Sequence, residues 1–158
     1  MEFGEAIKTC FRKYATFSGR AQRSEYWWWY LFNFLVVGGA TIIDIAIFGV
    51  GPDKVQPLSG ILSLGFMLPN LAVTCRRLHD GNRSGWWMLL PLAGAIPFVV
   101  FAIIGSRTGT MVAPTVATIA VLAITFVLLL YWLIKRGTVG PNRFGPDPLR
   151  PVETEGVF

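Results

Sequence analysis

The chain has 158 residues, of which 53% are hydrophobic and only 15% are charged, and its formal net charge at pH 7 is +5. This composition excludes an ordinary soluble domain, in which about a quarter of the residues are charged, and predicts an all-α integral membrane protein. The basic residues do not gather on a soluble region, so the positive charge does not indicate nucleic-acid binding.

Residues 3–17 have the pattern of an amphipathic helix. Apolar and aromatic residues recur there at intervals of three or four, at Phe3, Ile7, Phe11, Tyr14 and Phe17. Lys8, Arg12 and Lys13 lie off this stripe. The pattern is typical of a helix in the membrane interface, with its basic face toward anionic head groups. Packing against the end of the helix bundle is the alternative, and both arrangements can hold together.

Four segments are candidates for transmembrane helices, which need about 20 mostly apolar residues to cross a hydrocarbon core of ~30 Å. They are residues 26–50, 58–74, 86–104 and 112–134. Pro69 interrupts the second and shortest of them and removes one backbone hydrogen bond. Such breaks are tolerated in a membrane when neighbouring helices satisfy the freed groups. The spans are therefore expected to pack as a bundle in a single domain, residues 1–150.

The distribution of lysine and arginine predicts the orientation of these spans. Twelve of the 14 lie before the first span, between the second and third, or after the last, and only Lys54 and Arg107 lie in the opposite loops. Cytoplasmic loops of membrane proteins are enriched in these two residue types. Both termini are therefore expected in the cytoplasm.

Tryptophans at the starts of the first and third spans are expected to anchor them at head-group depth. They are Trp27, Trp28, Trp29, Trp86 and Trp87. Ser24 and Ser84 lie just before these spans and are candidate N-caps, because a serine hydroxyl accepts from the free amides of a first turn.

The C-terminal segment is predicted to lack regular structure. Residues 137–148 are rich in glycine and proline, which favours an irregular, turn-rich tail. Residues 151–158 are expected to be disordered.

The most specific feature of the sequence is residues 75–87, which contain three arginines, an aspartate and the only histidine of the chain. If the second helix continues to Asp80, its carboxylate can reach Arg76 and Arg77. It can instead pair with an arginine of another segment, namely Arg20, Arg23 or Arg143. A third interpretation is a local turn in which Gly81 takes a left-handed conformation.

Arginines outnumber acids at this end of the protein. The acids expected to pair with them are Glu25, Asp80 and Asp147, and arginines remain when every acid is paired. Guanidinium groups bind phosphate at two points, so the surplus predicts a site for anionic lipid head groups or a phosphorylated ligand. The candidate residues are Arg20, Arg23, Arg76, Arg77, His79, Asp80, Arg83 and Arg143. The structural alternative is that these charges only set topology and form salt bridges.

Catalysis, metal binding and ion transport have weaker support. His79 is a candidate acid–base group because an imidazole titrates near neutrality, but no positioned nucleophile accompanies it. Cys10 and Cys75 with a single histidine do not form a zinc motif, and no metal or cofactor is expected. Asp44 lies 18 residues past Tyr26, about 27 Å along a helix. This places it near the outer interface, where we expect it to be solvated rather than part of an ion pathway.

Three ordered motifs resemble a known family. They are residues 14–27, from Tyr-Ala-Thr-Phe-Ser-Gly-Arg to Ser-Glu-Tyr-Trp, residues 76–87, and residues 140–148, Gly-Pro-Asn-Arg-Phe-Gly-Pro-Asp-Pro. Together they resemble the YhaH-like bacterial inner-membrane family, domain of unknown function 805. The resemblance implies a small multi-helix protein of the bacterial plasma membrane and no established activity, so it assigns no catalytic residue.

The sequence therefore predicts a non-enzymatic inner-membrane protein that binds anionic lipid or a membrane protein partner. Ala113, Ala117 and Ala120 share one face of the last span, where small residues allow close approach of another span or of a second copy. The alternative function is an enzyme or transporter for a phosphorylated or lipid-linked substrate, with His79 and Asp80 as acid–base groups.

Overall fold

The computed structural model describes residues 1–51, 53–92, 96 and 112–150. The helices with defined bounds are α1 (Phe3–Arg12), α2 (Arg23–Phe48), α3 (Pro57–Asp80) and α4 (Val112–Ile134). A short 3-10 helix, Gly85–Leu89, follows α3. The described residues form no strand beyond an isolated bridge between Asn142 and Gly145. The protein is all-helical, as predicted.

Among the described residues, three helices are long and apolar enough to cross a membrane: Arg23–Phe48, Pro57–Asp80 and Thr115–Ile134. They correspond to the first, second and fourth predicted spans, and the second span continues to Asp80. Of the third predicted span, residues 86–104, only the part up to residue 92 and residue 96 are described. The rest of that span and the predicted disordered tail, residues 151–158, lie outside the described residues.

Helix α1 ends at Arg12, earlier than the predicted end at residue 17. Lys13 leaves helical geometry, and Gly19 takes a φ of 85° in the connection to α2. The helix buries Ala6 and Cys10, and it packs against α2 and α3. It is shorter because the residues after Lys13 turn toward α3.

Tyr14 compensates for the proline inside α3. Pro69 has no amide hydrogen, so the carbonyl of Gly65, four residues earlier, loses its helical donor. The hydroxyl of Tyr14 donates to this carbonyl. A segment outside the span thus satisfies a backbone group that would otherwise be exposed in an apolar environment.

The core includes a cluster of aromatic rings between α1, α2 and α3. The rings of Phe11 and Trp29 meet edge to face at 5.2 Å, and Phe66 packs against both. Trp29 is completely buried, and its Nε1 donates to Asn70 Oδ1 at 2.7 Å. The expectation that Trp29 anchors an interface with its neighbours is therefore wrong. It faces α1 and α3, whereas Trp27 and Trp28 are exposed.

Asp44 caps the start of α3 from the neighbouring helix. Its Oδ2 accepts from the amide and the hydroxyl of Ser59, each at 2.8 Å, and its Oδ1 accepts from the amide of Leu58 at 3.2 Å. A carboxylate is favourable there because the first amides of a helix are unsatisfied and carry partial positive charge. Asp44 is only 1% exposed, so the expectation of a solvated position is wrong.

Candidate functional site: the basic end of the bundle

The basic end of the bundle is the end at which α2 begins and α3 and α4 finish. At its centre, Asp80 lies between two guanidinium groups. Arg20 donates from Nε to Asp80 Oδ1 at 3.0 Å, and Arg77 pairs with Oδ2. All three side chains are buried. Both carboxylate oxygens are thus occupied by charged partners, one of them from outside α3.

A second buried ion pair joins α3 to α2. Arg76 pairs with Glu25, in the first turn of α2. The thiol of Cys10 on α1 lies 3.9 Å from Glu25 Oε1. Burial raises the pKa of Cys10 to about 12, and the Glu25 carboxylate also raises it. Cys10 therefore remains a neutral thiol beside the pair, and the pair links three helices.

Arg77 also caps the end of α4. Its Nε donates to the carbonyl of Leu133 at 2.9 Å, and its Nη2 donates to the carbonyl of Lys135. The last carbonyls of a helix have no donor within the helix and carry partial negative charge. One buried guanidinium therefore satisfies Asp80 and the end of another helix together.

The chain after α4 is held by Arg20. Its Nη1 donates to the carbonyl of Gly140 at 2.7 Å, and its Nη2 donates to that of Thr138 at 2.6 Å. We call Arg20, Glu25, Arg76, Arg77 and Asp80 the arginine clasp. The clasp joins the segment before α2, the ends of α3 and α4, and the C-terminal tail.

Gly137 allows the tail to pass directly over Asp80. A Cβ atom at Gly137 would lie 1.9 Å from Asp80 Oδ2, which no side chain could accept without a shift of the tail. The amide of Thr138 next to it donates to the carbonyl of Asp80 at 2.8 Å. Glycine is required at this position because the backbone of the tail passes so close to Asp80, and not because of a turn.

The tail is ordered by its own motif, residues 140–148. The ring of Phe144 stacks on His79 with centroids 3.8 Å apart and planes 4° apart. Asn142 donates to the carbonyl of His79 at 3.0 Å. Asp147 accepts from the amides of Gly140 and Leu149, and these bonds lower its pKa. The irregular tail is therefore a fitted strap across the end of α3.

His79 is enclosed by these contacts. Its Nδ1 lies 3.1 Å from the carbonyl of Gly19, and its Nε2 lies 3.5 Å from the sulfur of Cys75. Within the described part of the chain, no three residues of the metal-ligating types gather. The surroundings of His79 are those of a packing residue between the tail and the segment before α2.

The turn after α3 differs in detail from the prediction. Gly81 has a φ of −83°, and Asn82 takes the left-handed conformation instead, at 56°. The amide of Gly81 still donates to the carbonyl of Leu78, so the left-handed residue comes one position later, at Asn82. Ser84 caps the 3-10 helix through Trp86, whereas Ser24 is not a cap, since α2 begins after Gln22.

Basic residues form a rim beside the clasp, of which Lys135 and Arg136 are exposed and Arg83 is half-buried. Arg83 lies over the ring of Trp132, 3.9 Å from its centroid. With Lys135 and Arg136 it borders a cavity of about 230 Å³, the rim cavity, which is also lined by Leu78, Gly81, Trp132, Gly137 and Thr138. None of the described residues that line it is acidic. The cavity has the positive charge and the size to hold a phosphate group.

Comparisons with known proteins identify the family of this chain. Residues 14–146 match the family described as protein of unknown function, DUF805. The chain belongs to this family. It is 34% identical to inner membrane protein YhaI and 33% identical to inner membrane protein YhaH, both of Escherichia coli strain K12. Each match covers 87% of this chain, with 89% of YhaI and 90% of YhaH. No solved structure matches the chain.

The family membership and the apolar helices make the chain an inner-membrane protein. The three motifs that carry the resemblance meet at one place, because Arg20 and Glu25 belong to the first, Asp80 to the second, and Gly140 to the third. The structure therefore shows what these motifs build, which is a buried ionic clasp covered by a strap.

The predicted site residues divide into two groups. Arg20, Arg76, Arg77, His79 and Asp80 are buried in or beside the clasp, whereas Arg83 is half-buried at the rim and Arg23 and Arg143 are exposed. Lys135 and Arg136 line the rim cavity but were not among the predicted candidates. Both residues follow the last span directly, and Arg136 belongs to the surplus of arginines that the sequence shows at this end, but neither was assigned to the site.

Proposed function

We propose that the protein is a multi-pass inner-membrane component with four spans and both termini in the cytoplasm, and that its rim cavity binds the phosphate of anionic lipid head groups. The cavity supports this proposal because three cationic side chains border it and the described residues place no carboxylate in its wall. Arginine and lysine near a membrane surface attract anionic lipids by about 1 kcal/mol each.

The clasp makes the rim available to a ligand. The ends of α3 and α4 point toward this region, and their partial negative charge would oppose an anion. Arg77 donates to the last carbonyls of α4, and Arg20 and Arg77 together neutralise Asp80. The positive charge of the rim is therefore left for a ligand.

Helix α1 adds a second contact with the same leaflet. Phe3 and Phe11 remain partly exposed although α1 packs on α2 and α3. Lys8 and Arg12 are exposed on the same short helix. We place α1 in the interface, with its aromatic side chains toward lipid and its basic side chains toward head groups.

The rim is tested by native mass spectrometry of the protein purified in mild detergent with phosphatidylglycerol and phosphatidylcholine of equal chain length. Arg83→Gln should lower the retained phosphatidylglycerol several-fold and leave phosphatidylcholine unchanged. Lys54→Gln is the matched control, because it removes one exposed positive charge at the opposite end. Equal retention by both variants and the parent protein contradicts the proposal.

The orientation is tested by labelling single cysteines in intact cells. Cys10 and Cys75 are buried, so background labelling should be low. A membrane-impermeant maleimide should label Lys54→Cys from outside and should label Asn82→Cys only after permeabilisation. The reverse pattern would overturn the assignment of the basic end to the cytoplasm.

The geometry gives less support to an enzyme that uses His79 and Asp80. Asp80 is held by two arginines, and His79 is covered by Phe144. For proton transfer, Asp80 would have to separate from its two arginines and His79 from the ring of Phe144. A folded His79→Gln variant that loses a phenotype while keeping lipid retention would favour this alternative.

A further inference from the structure

A second cavity, open toward the surface of the bundle, lies farther from the basic end than the rim cavity. It has a volume of about 410 Å³. Its wall combines side chains of α2, α3, α4 and the 3-10 helix with the residues just after it, among them Tyr30, Thr74, Met88, Leu92 and Leu129. We call it the deep cavity.

The two cavities follow the same pair of helices. The rim cavity is bordered by Leu78 of α3 and Trp132 of α4, and the deep cavity by Thr74 and Leu129. These positions differ by four and three residues, which is about one helical turn, or ~5 Å. The deep cavity therefore begins about one turn farther into the membrane than the rim.

The polar groups in the wall of the deep cavity are largely satisfied by one another. Thr74 donates to the carbonyl of Asn70 at 2.7 Å, so the hydroxyl of Tyr30, 3.1 Å away, donates to Thr74. Asn70 Oδ1 accepts from Trp29. Most of the remaining wall is leucine and methionine. Such a cavity between membrane-spanning helices favours an alkyl chain over water, because water needs two to four polar partners.

We propose that the rim cavity and the deep cavity together form one site for a glycerophospholipid of the cytoplasmic leaflet. The phosphate lies among Arg83, Lys135 and Arg136, and an acyl chain passes Trp132 and fills the deep cavity. This inference rests on the proposed function and adds to it that one acyl chain is held in an apolar groove between the helices, rather than the lipid being attracted only by surface charge. Charge at the mouth and an apolar interior select an amphiphile over a free phosphate.

The first test fills the deep cavity and leaves the rim intact. Leu129→Trp places a large ring in the cavity wall, and Val127→Trp is the matched control, since it makes the same class of change on α4 at a side chain that is 62% exposed. Binding of dioleoyl phosphatidylglycerol is measured by native mass spectrometry. Leu129→Trp should lower it at least tenfold, and Val127→Trp should leave it unchanged. Equal binding by the two variants overturns the inference.

The second test needs no substitution and is therefore independent of folding. The parent protein is given dioleoyl phosphatidylglycerol in competition with its dihexanoyl analogue or with glycerol 3-phosphate. The inference predicts at least tenfold weaker competition by both, because neither fills the deep cavity. If glycerol 3-phosphate competes as strongly as the long-chain lipid, the inference is overturned. The bound phosphate then belongs to a soluble phosphorylated ligand and not to a lipid.

The two proposals fail in different ways. If Arg83→Gln loses phosphatidylglycerol while Leu129→Trp retains it, the rim binds head groups and the deep cavity holds no chain, so only the further inference fails. If Arg83→Gln retains the lipid in full, the proposed function fails, and the inference that rests on it fails too.

Discussion

Two sets of basic residues meet at one end of this protein, and burial separates their roles. The clasp arginines, Arg20, Arg76 and Arg77, are at most 6% exposed and face carboxylates or helix-end carbonyls. The rim residues Arg83, Lys135 and Arg136 border a cavity that none of the described acids lines. The same type of side chain thus stabilises the fold in one set and remains available to a ligand in the other.

The difference follows from the cost of burying charge. A buried guanidinium without a partner is strongly unfavourable, and each clasp arginine pairs with a carboxylate of the protein. Arg76 is the least complete of them, because its Nε and Nη2 have no hydrogen-bond partner among the described residues. An exposed cation is solvated and needs no such partner, and its pairing contributes little to stability. Substitutions in the two sets should therefore separate stability from lipid binding.

The largest expected effect on stability is that of Arg77→Ala. It leaves Asp80 with one partner and removes the cap of α4, so we expect a loss of about 3–5 kcal/mol in the free energy of unfolding. Thermal unfolding in mild detergent measures it. Arg83→Ala is the matched control at the rim. Similar melting temperatures for the two variants would show that the clasp arginine contributes no more to stability than the rim arginine.

Gly137→Ala should have the second-largest effect, a loss of about 1–3 kcal/mol in the free energy of unfolding. The added Cβ would overlap the Asp80 carboxylate and push the tail away. Thermal unfolding and limited proteolysis of the tail report it. Gly38→Ala serves as the control, since nothing lies within 4 Å of the added atom in α2. A tail equally resistant in both variants would argue against close packing of the strap on the clasp.

Tyr14→Phe should cost about 1–2 kcal/mol, because it leaves the carbonyl of Gly65 without a donor. The measurement is a double-mutant cycle with Pro69→Ala, which restores an amide at the position that normally serves Gly65. Tyr14→Phe should be less destabilising in the Pro69→Ala background. An equal cost in both backgrounds would show that the hydroxyl does not compensate for the proline.

Asp44→Ala should cost about 0.5–2 kcal/mol, the range for loss of a helix cap. This variant separates burial from position, because Asp44 is buried like the clasp residues but lies at the end of the bundle opposite the rim. The variant should melt earlier than the parent protein and retain phosphatidylglycerol equally when folded. Lost lipid retention in folded protein would show that the two ends are coupled.

The architecture was accessible from sequence where it depends on hydropathy. The apolar runs that become α2 and α4 exceed the length of about 20 residues needed to cross a bilayer. The run of α3 is shorter, and the charge cluster after it marks the end of that helix. The Arg20 to Asp80 pair was one of several open alternatives. Sequence could not choose among them, because the choice depends on how the segment before α2 folds back over α3.

Other features depend on tertiary contacts that leave no local pattern. Trp27, Trp28 and Trp29 look alike in sequence, and only the docking of α1 makes the third a core residue. Asp44 looked solvated from its depth alone, although Pro57 and Ser59 marked the start of the helix that it caps. The role of Arg77 at α4 could not be foreseen, because backbone carbonyls carry no residue-specific signal.

The central claim is that clasp arginines maintain the fold while rim residues bind lipid. The most direct test is the combined variant Arg83→Gln, Lys135→Gln and Arg136→Gln, with melting temperature and retained phosphatidylglycerol measured on the same sample. Substitutions at exposed positions such as Lys135 and Arg136 usually change the free energy of unfolding by no more than about 0.5 kcal/mol each. Arg83 is half-buried over Trp132, so its substitution should account for most of any change. The account predicts a melting temperature close to that of the parent protein and loss of most of the phosphatidylglycerol. Full lipid retention in the folded variant would contradict it.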